Sequence, residues 1–364
     1  MNPHAYALIM AGGKGERFWP MSRERRPKQL LALAGGKPLI CQAVDRLAGV
    51  VPPERTVIVT NASLVEPIRE LLPARSGTGI LGEPVGRDTA AAIAAGAAWI
   101  RRRDPEAVFC VLTADHIIGD LEVFRGTLAA ALELCGERDV LMTIGIQPTE
   151  PSSAYGYIAL GELEEERGGF EFFRAAGFKE KPTREVAEKY LAEGNTLWNS
   201  GMFAWSAASL RKAYGACAPR LGELMDKWTA CADDAAQLAA MAEDFPRLEK
   251  ISIDYAVMER ADNILACRGR FAWDDVGSWP ALESHLPKDA AGNAVRGDAE
   301  EVGSGGCIVV DGEGKGRLTA LVGVKDLIVV QAEGVTLVCD KAHSQDIKAL
   351  VAKLRARGDC GGLL

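Results

Sequence analysis

The feature that most constrains the fold is a hydrophobic run near the N-terminus that leads directly into a glycine loop. Residues Tyr6–Met10 are all hydrophobic, and the five residues that follow, at positions 11–15, read AGGKG. A strand that is hydrophobic throughout is typical of a parallel sheet covered on both faces. Glycines after such a strand let the backbone approach a ligand at the edge where open α/β sheets bind their ligands. The N-terminus therefore predicts a buried first strand followed by a binding loop.

The first half of the chain alternates short β-rich runs with amphipathic stretches. The predicted strands are Tyr6–Met10, Thr56–Thr60, Val108–Thr113 and Val140–Gly145. The predicted helices are Leu39–Leu47, Val65–Leu72, Thr89–Arg101 and Glu122–Leu134. Strands and helices that alternate in this way indicate βαβ units. We therefore predict an α/β fold with an open, mostly parallel, Rossmann-like sheet that carries helices on both faces.

The middle of the chain is predicted to contain a hairpin. Tyr155–Leu160 and Phe170–Phe178 have strand character and flank an acidic run at residues 162–166, which we interpret as a solvated tip. Thr183 is the predicted N-cap of the next helix. Leu197–Ser206 is a further predicted strand, and it precedes a long helical region that extends to about residue 260.

The composition changes again after Pro287. Residues 292–316 are rich in glycine, and the predicted elements beyond them are the apolar runs Leu327–Gln331 and Val335–Cys339 and a final helix, Ser344–Arg357. We predict a main domain over residues 1–285 and a small β-rich domain over 286–364, of which a left-handed β-helix is one form. Because so small a domain buries little core by itself, we expect it to pack on the main domain or to contribute to a homodimer.

Composition and charge exclude several classes of protein. The net charge of −8 argues against a nucleic-acid binder, which needs a basic surface. None of the nine cysteines forms a CxxC pair, and we expect them to be reduced thiols in a cytoplasmic protein. The four histidines are too scattered for a zinc site. The N-terminal apolar run is too short for a signal peptide or a membrane span, so we expect no association with membranes.

Two cations follow the first strand. Arg17 closes the glycine loop and Lys28 comes a few residues later, so that both could flank one triphosphate. The loop is not a Walker P-loop, and Phe18 stands where a dinucleotide-binding GxGxxG would have its last glycine, which disfavours a nicotinamide oxidoreductase. A plain glycine turn remains the alternative interpretation.

A carboxylate follows the predicted strand Val108–Thr113. Asp115 comes two residues after its end, and in this fold class the carboxyl ends of the strands line the ligand crevice. Magnesium prefers one or two carboxylates together with phosphate oxygens, so Asp115 is a candidate Mg²⁺ ligand. The alternative is that Asp115 caps the next helix.

Several short motifs together resemble one enzyme family, the sugar-1-phosphate nucleotidyltransferases, and within it the mannose-1-phosphate guanylyltransferase branch. They are GGKGERFWP from residue 12, EPVGRDTA from 83, TADH from 113, YGY from 155, EKP from 180, WNSGMF from 198 and DDVGSW from 274. They follow the family's order over residues 8–279. The departures are few: Phe18 and Met21 replace leucines, Thr113 replaces a proline and Asp88 replaces an asparagine.

The resemblance implies a reaction and a set of site residues. GTP and mannose 1-phosphate would give GDP-mannose and pyrophosphate with Mg²⁺ as cofactor. The loop residues that would hold the nucleotide are Ala11, Gly12, Gly13 and Gly15. The residues that would bind phosphates are Arg17, Lys28 and Lys181, and those on the sugar are Gly156, Glu180 and Asn199. The two metal ligands would be Asp115 and Asp275, the latter within the DVG triplet.

The nucleotide base would be selected by the loop that contains Glu83 and Arg87. Guanine presents two N–H donors on one edge, and a carboxylate such as Glu83 can accept from both. Uracil and thymine offer one donor between two acceptors. The alternative is that Glu83 is a surface charge and that Thr89 caps the helix that follows.

Other functions stay open at this point. The same chemistry could serve a heptose 1-phosphate or dTTP, and a nucleotide-binding regulator without activity is a more remote option. The resemblance to longer relatives ends before their isomerase domain, so we expect no isomerase activity.

Overall fold

The computed structural model describes residues 2–75, 77–314, 316–358 and 360–364. The chain divides into two compact units, each assembled from segments that are distant in sequence. The first unit comprises Met1–Gly12, Ala43–Ala114 and Ile118–Trp273, and the second comprises Gly13–Gln42, Asp115–Ile117 and Asp274–Leu364.

In the first half of the chain strands largely alternate with helices, as predicted, whereas the three strands between residues 141 and 179 follow one another without a helix. The strands are β1 (Ala5–Ala11), β2 (Thr56–Asn61), β3 (Gly79–Glu83), β4 (Val108–Thr113), β5 (Ile117–Ile118), β6 (Leu141–Ile146), β7 (Tyr157–Arg167), β8 (Phe170–Lys179), β9 (Thr196–Ser206), β10 (Ile264–Gly269) and β11 (Trp273–Asp274). The helices are α1 (Leu39–Asp45), α2 (Val65–Leu71), α3 (Asp88–Arg103), α4 (Leu121–Glu137), α5 (Arg184–Glu193), α6 (Ala207–Cys217), α7 (Pro219–Thr229) and α8 (Asp234–Asp244).

Nine of these strands form one sheet in the order β3-β2-β1-β4-β9-β6-β10-β8-β7. The four strands from β3 to β4 pair in parallel, and the remainder is mixed because β9 runs antiparallel to both β4 and β6. The predicted α/β fold is confirmed, and its parallel part is the half that carries the glycine loop. Strand β1 is buried almost throughout, as its apolar sequence predicts.

The helix α3 shows how closely the layers pack. It is rich in alanine, and its residues Ala90–Ile100 are all buried. At Gly96 a side chain would collide with Leu8 of β1, so the small residues bring the helix against the sheet. This packing places the start of α3, and the loop before it, beside the carboxyl end of the parallel strands.

The prediction for the hairpin is wrong in one respect. Strand β7 continues through the acidic run, and the turn lies at Gly168 and Gly169, both with positive φ. The glutamates stay in the strand because arginines pair with them. Glu164 lies 2.6 Å from Arg138 and 2.7 Å from Arg174.

The long predicted helical region is three separate helices, α6 to α8, followed by a 3₁₀ turn and a π turn at Asp254–Met258. Thr183 is the N-cap residue of α5, as predicted, although its side chain makes no capping hydrogen bond. Within the described part of the chain, no helix combines the length and the apolar character needed to span a bilayer.

The second unit contains a β-rich C-terminal segment, as predicted. Its strands are β12 (Ala294–Arg296), β13 (Asp298–Val302), β14 (Ile308–Asp311), β15 (Leu318–Val322), β16 (Leu327–Ala332) and β17 (Val335–Asp340). Its helices are α9 (Trp279–Leu282) and α10 (Ile347–Arg357). From β12 to β16 consecutive strands alternate between two sheets, and the stacked pairs β12–β14, β14–β16 and β13–β15 are parallel. The last strand, β17, pairs antiparallel with β16. The chain therefore winds in coils, as in a β-helix.

Candidate active site

A cavity of about 270 Å³ lies within the second unit and is lined by predicted phosphate and metal residues. One of the residues that line it is Lys28, which is buried. The Lys28 ammonium donates to Asp115 Oδ2 at 3.0 Å and to the backbone carbonyl of Asp275 at 2.5 Å. One lysine thus connects the two residues predicted to hold the metal.

The glycine loop is shaped to pack on Lys28. Gly15 has φ +62°, and a Cβ atom there would collide with the Cβ of Lys28, so only glycine fits. Two residues later, Arg17 lines the same cavity and donates weakly to the Gly277 carbonyl, at 3.5 Å. Its buried Nε has no hydrogen-bond partner among the described residues, so it remains a donor for an anion.

The turn that carries Asp275 has a strained backbone and is fixed by contacts of the residues before and after Asp275. Val276 has φ +45°, which is uncommon for a β-branched residue, and its side chain is fully buried in the apolar core of the second unit. Asp274 accepts from the Val276 amide at 2.7 Å and lies 2.7 Å from Nε2 of His285. Asp274 therefore supports the turn, while Asp275 lines the cavity.

The charge of Asp115 is set by its neighbours. Burial would raise the pKa of Asp115, but the charges of Lys28 and His116 and the hydrogen bond from Lys28 lower it below the ordinary range. The carboxylate is therefore ionised at neutral pH. Among the described residues no group of three or more His, Cys, Asp or Glu forms a metal cage. Asp115 and Asp275 nevertheless line one cavity, and a pair of carboxylates suits Mg²⁺, which takes few protein ligands.

The predicted base-reading residue, Glu83, lies at the end of β3 in the first unit. It is 6% exposed, and its Oε1 has no hydrogen-bond partner among the described residues. Its Oε2 lies 3.7 Å from the position that a Cβ would take on Gly12. Burial, and to a smaller extent the charge of Asp88, raise the pKa of Glu83 to about 7. This buried acceptor without a partner suits a ligand that brings N–H donors.

Arg87 and Thr89 have contacts of another kind. Arg87 donates to the backbone carbonyls of Phe245 and Pro246, at 2.9 and 2.5 Å, so its guanidinium holds that loop. The suggestion that Thr89 caps α3 is wrong, because the N-cap residue is Arg87. The Thr89 hydroxyl instead accepts from the amide of Ile253 at 2.8 Å.

The three predicted sugar residues come together in the first unit. The backbone N–H of Asn199 donates to the Gly156 carbonyl at 2.8 Å, and a Cβ atom on Gly156 would collide with Oε2 of Glu180. Lys181 follows Glu180 with φ +43°, and its ammonium lies 2.8 Å from Glu180 Oε1. The cluster therefore combines a carboxylate, a primary amide and an ammonium, a set that can hydrogen-bond hydroxyl groups and a phosphate.

Comparison with known proteins shows the family to which the chain belongs. Residues 6–292 match the nucleotidyl transferase family, and residues 297–354 match a mannose-phosphate isomerase/GMP-like β-helix domain. The chain is 37% identical over 352 residues to the mannose-1-phosphate guanylyltransferases of Klebsiella pneumoniae and Escherichia coli, covering 96% of this chain and 73% of each relative. It belongs to the mannose-1-phosphate guanylyltransferase family.

A solved structure extends the likeness to the whole fold. The crystal structure of mannose-1-phosphate geranyltransferase from Thermus thermophilus superposes with a TM-score of 0.84 at 37% identity, covering 97% of this chain and 99% of that chain. The family resemblance inferred from the motifs is thus confirmed.

One residue of this guanylyltransferase-family site could not be assigned a role from sequence. Asp254 accepts from Asn199 Nδ2 at 2.7 Å. Its pKa is raised by burial and by the nearby charge of Glu180, although the hydrogen bond from Asn199 opposes the shift. In the sequence, Asp254 is marked only by the stretch SIDY at residues 252–255, which resembles a stretch of the family. Its contact with Asn199 could not be read there, because the two residues are 55 positions apart. Asp254 orients the Asn199 amide.

Proposed function

We propose that the protein transfers a guanylyl group from GTP to mannose 1-phosphate and releases pyrophosphate, with GDP-mannose as the product. The observation that carries the base assignment is the buried Glu83 carboxylate with an unpartnered oxygen. Guanine N1–H and N2–H can both donate to this group. A uracil or thymine ring would place an acceptor against it, and an unpaired buried polar group costs about 1–3 kcal/mol.

The phosphates of GTP are assigned to the cavity around Lys28. Arg17 and Lys28 hold the β- and γ-phosphates, which become the leaving pyrophosphate. A phosphate oxygen of mannose 1-phosphate attacks the α-phosphorus, and the bond from that phosphorus to the bridging oxygen of the pyrophosphate breaks. Because the attacking phosphate is already a nucleophile, no side chain has to remove a proton, and the residues act by positioning and by neutralising charge.

We assign Mg²⁺ to Asp115 and Asp275. When bound, the ion would screen the repulsion between the two anionic substrates and polarise the transferred phosphoryl group. Lys28 contributes separately, because its ammonium keeps Asp115 ionised and fixes the Asp275 backbone.

The sugar phosphate is assigned to the cluster in the first unit. Lys181 would meet the phosphate, and Glu180 and Asn199 would hydrogen-bond the hydroxyls, with Gly156 allowing the sugar close to the backbone. Arg87 was predicted to bind the nucleotide, and we propose that it does so indirectly, by fixing the loop next to Glu83 through Phe245 and Pro246.

We further propose a cytoplasmic homodimer that uses the coiled strands within residues 286–364. Val302 and Val322 are 70% and 71% exposed and stand opposite each other in the β13–β15 pair, with Leu318 also exposed on β15. A second copy would cover these side chains. The buried thiols Cys110, Cys135 and Cys267 suit a reducing compartment. Light scattering should show a dimer, and the double variant Val302→Glu, Val322→Glu should be a monomer; a monomeric wild type would contradict the proposal.

One assay tests the reaction directly. Purified protein is incubated with Mg²⁺, each of GTP, ATP, UTP and dTTP, and each of mannose, glucose and heptose 1-phosphates, and pyrophosphate release is measured. We expect the highest kcat/KM for GTP with mannose 1-phosphate. A higher value with a heptose 1-phosphate would reassign the sugar, and absence of release with every pair would refute the transferase.

A further inference from the structure

The cavity around Lys28 contains a cation to which none of the motifs above assigned a role. Lys348, in the first turn of α10, lines it together with Arg17, Lys28 and Lys14. The C-terminal β-rich segment carries none of the family motifs used above, yet its last helix reaches the phosphate cavity of the same unit.

The helix α10 is fixed to the glycine loop in two ways. Ile347 and Val351 are buried in the core that also contains Phe18 of the loop. Arg355 lies 3.4 Å from Glu16 and 3.2 Å from Glu24. Residues seven apart share one face of a helix, so Lys348 and Arg355 lie on the same face of α10. This face lies next to the glycine loop.

The basic residues of this face and of the cavity differ in their partners. Arg355 is paired with glutamates, and Lys28 in the cavity is paired with Asp115. Among the described residues no carboxylate lies within ion-pair distance of Lys348 or of Lys14. Their positive charges are therefore available to an anion that enters the cavity.

We propose that Lys348 binds the β,γ-phosphate end of the nucleoside triphosphate and the pyrophosphate that leaves. The proposal rests on the function proposed above. Pyrophosphate carries its charge on several terminal oxygens, and an ammonium on a long flexible stem can follow them as the bond to the α-phosphorus breaks. The sugar phosphate was assigned to Lys181 in the other unit, so Lys348 should affect the nucleotide and pyrophosphate and not the sugar.

The test compares Lys348→Met with Lys353→Met, which removes an exposed lysine from the same helix outside the cavity. Kinetics are measured in the forward direction and in the reverse direction with GDP-mannose and pyrophosphate. We expect Lys348→Met to raise the KM for pyrophosphate and for GTP about tenfold, the usual scale for a hydrogen bond between charged groups. The KM for mannose 1-phosphate and for GDP-mannose should stay within about twofold of wild type.

Two further measurements separate the possible outcomes. Lys348→Arg should recover most of the affinity for pyrophosphate, because it restores the positive charge. If Lys348 acted only through packing, restoring the charge would not restore the affinity. Calorimetric titration of pyrophosphate into wild type and Lys348→Met tests the contact without turnover, with the melting temperature as a control for folding. Equal dissociation constants for wild type and Lys348→Met would overturn the inference even if the enzyme is active. If the wild type is inactive but Lys348→Met still binds pyrophosphate more weakly than wild type, the transferase is refuted and the contact is not.

Discussion

Two carboxylates, Asp115 and Glu83, occupy opposite electrostatic settings. Asp115 lies among cations, and Lys28 and His116 hold its pKa below the ordinary range. No cation among the described residues pairs with Glu83, and burial raises its pKa to about 7. The first setting suits a group that must stay charged beside a metal and phosphates, and the second suits a group that accepts from the neutral N–H donors of a base.

The comparison shows how similar side chains acquire different tasks. Around Asp115 the protein supplies its own positive charge, so a triphosphate bound as proposed would exchange partners with groups that are already charged. At Glu83 the protein leaves an acceptor unsatisfied, and the partner has to come with the ligand. Loss of a charge at the cavity should therefore affect turnover with every nucleotide, whereas loss of Glu83 should affect the choice among nucleotides.

The largest effect is expected from Asp275→Asn. If this residue shares Mg²⁺ with Asp115, turnover should fall more than about 100-fold, because a metal contributes several kcal/mol to stabilising a phosphoryl transition state. The loss should be similar for GTP and for poorer nucleotides. Asp262→Asn, at an exposed position just before β10, is the matched control and should keep full activity. Wild-type turnover in Asp275→Asn, or in excess chelator, would remove the metal assignment.

A smaller and selective effect is expected from Glu83→Gln. The amide replaces one acceptor with a donor, so kcat/KM for GTP should fall about 10- to 100-fold. ITP, which lacks the 2-amino group, should lose less, and UTP less again. Glu70→Gln, at an exposed position on α2, serves as the control. Equal losses with all three nucleotides would mean that Glu83 supports the loop and does not read the base.

The sequence predicted features that depend on local order and missed those that depend on distant contacts. The strand β4 with Asp115 two residues after it, and the glycine loop after β1, could be located from short runs of residues. The turn at Gly168 could not, because arginines elsewhere in the chain keep the acidic run in β7. Asp254 and Lys348 could not be assigned a role for the same reason: each acquires its place through a contact with a segment far away in sequence.

A moderate effect is expected on the sugar side from Asn199→Ala. This change removes the donor to Asp254 and one predicted sugar contact, so KM for mannose 1-phosphate should rise about five- to tenfold, the scale of one hydrogen bond. The KM for GTP should change little. Asn195→Ala, at an exposed position just before β9, is the control. A rise in KM for GTP of the same size would show that the cluster does not belong to the sugar alone.

The most direct test of the contrast between the two carboxylates is the pH dependence of kcat/KM for GTP in wild type and in Glu83→Gln. The free Glu83 carboxyl is protonated below a pKa of about 7 and can then no longer accept two hydrogen bonds, whereas Asp115 stays ionised over the same range. For wild type, kcat/KM should therefore rise with pH and be roughly fivefold lower at pH 6 than at pH 7. The terminal phosphate of GTP also titrates here, but it is common to both enzymes, so the ratio of wild type to variant isolates Glu83. The account predicts that this ratio rises through pH 7 and levels off above pH 8, and a ratio that is constant from pH 6 to pH 8 would contradict it.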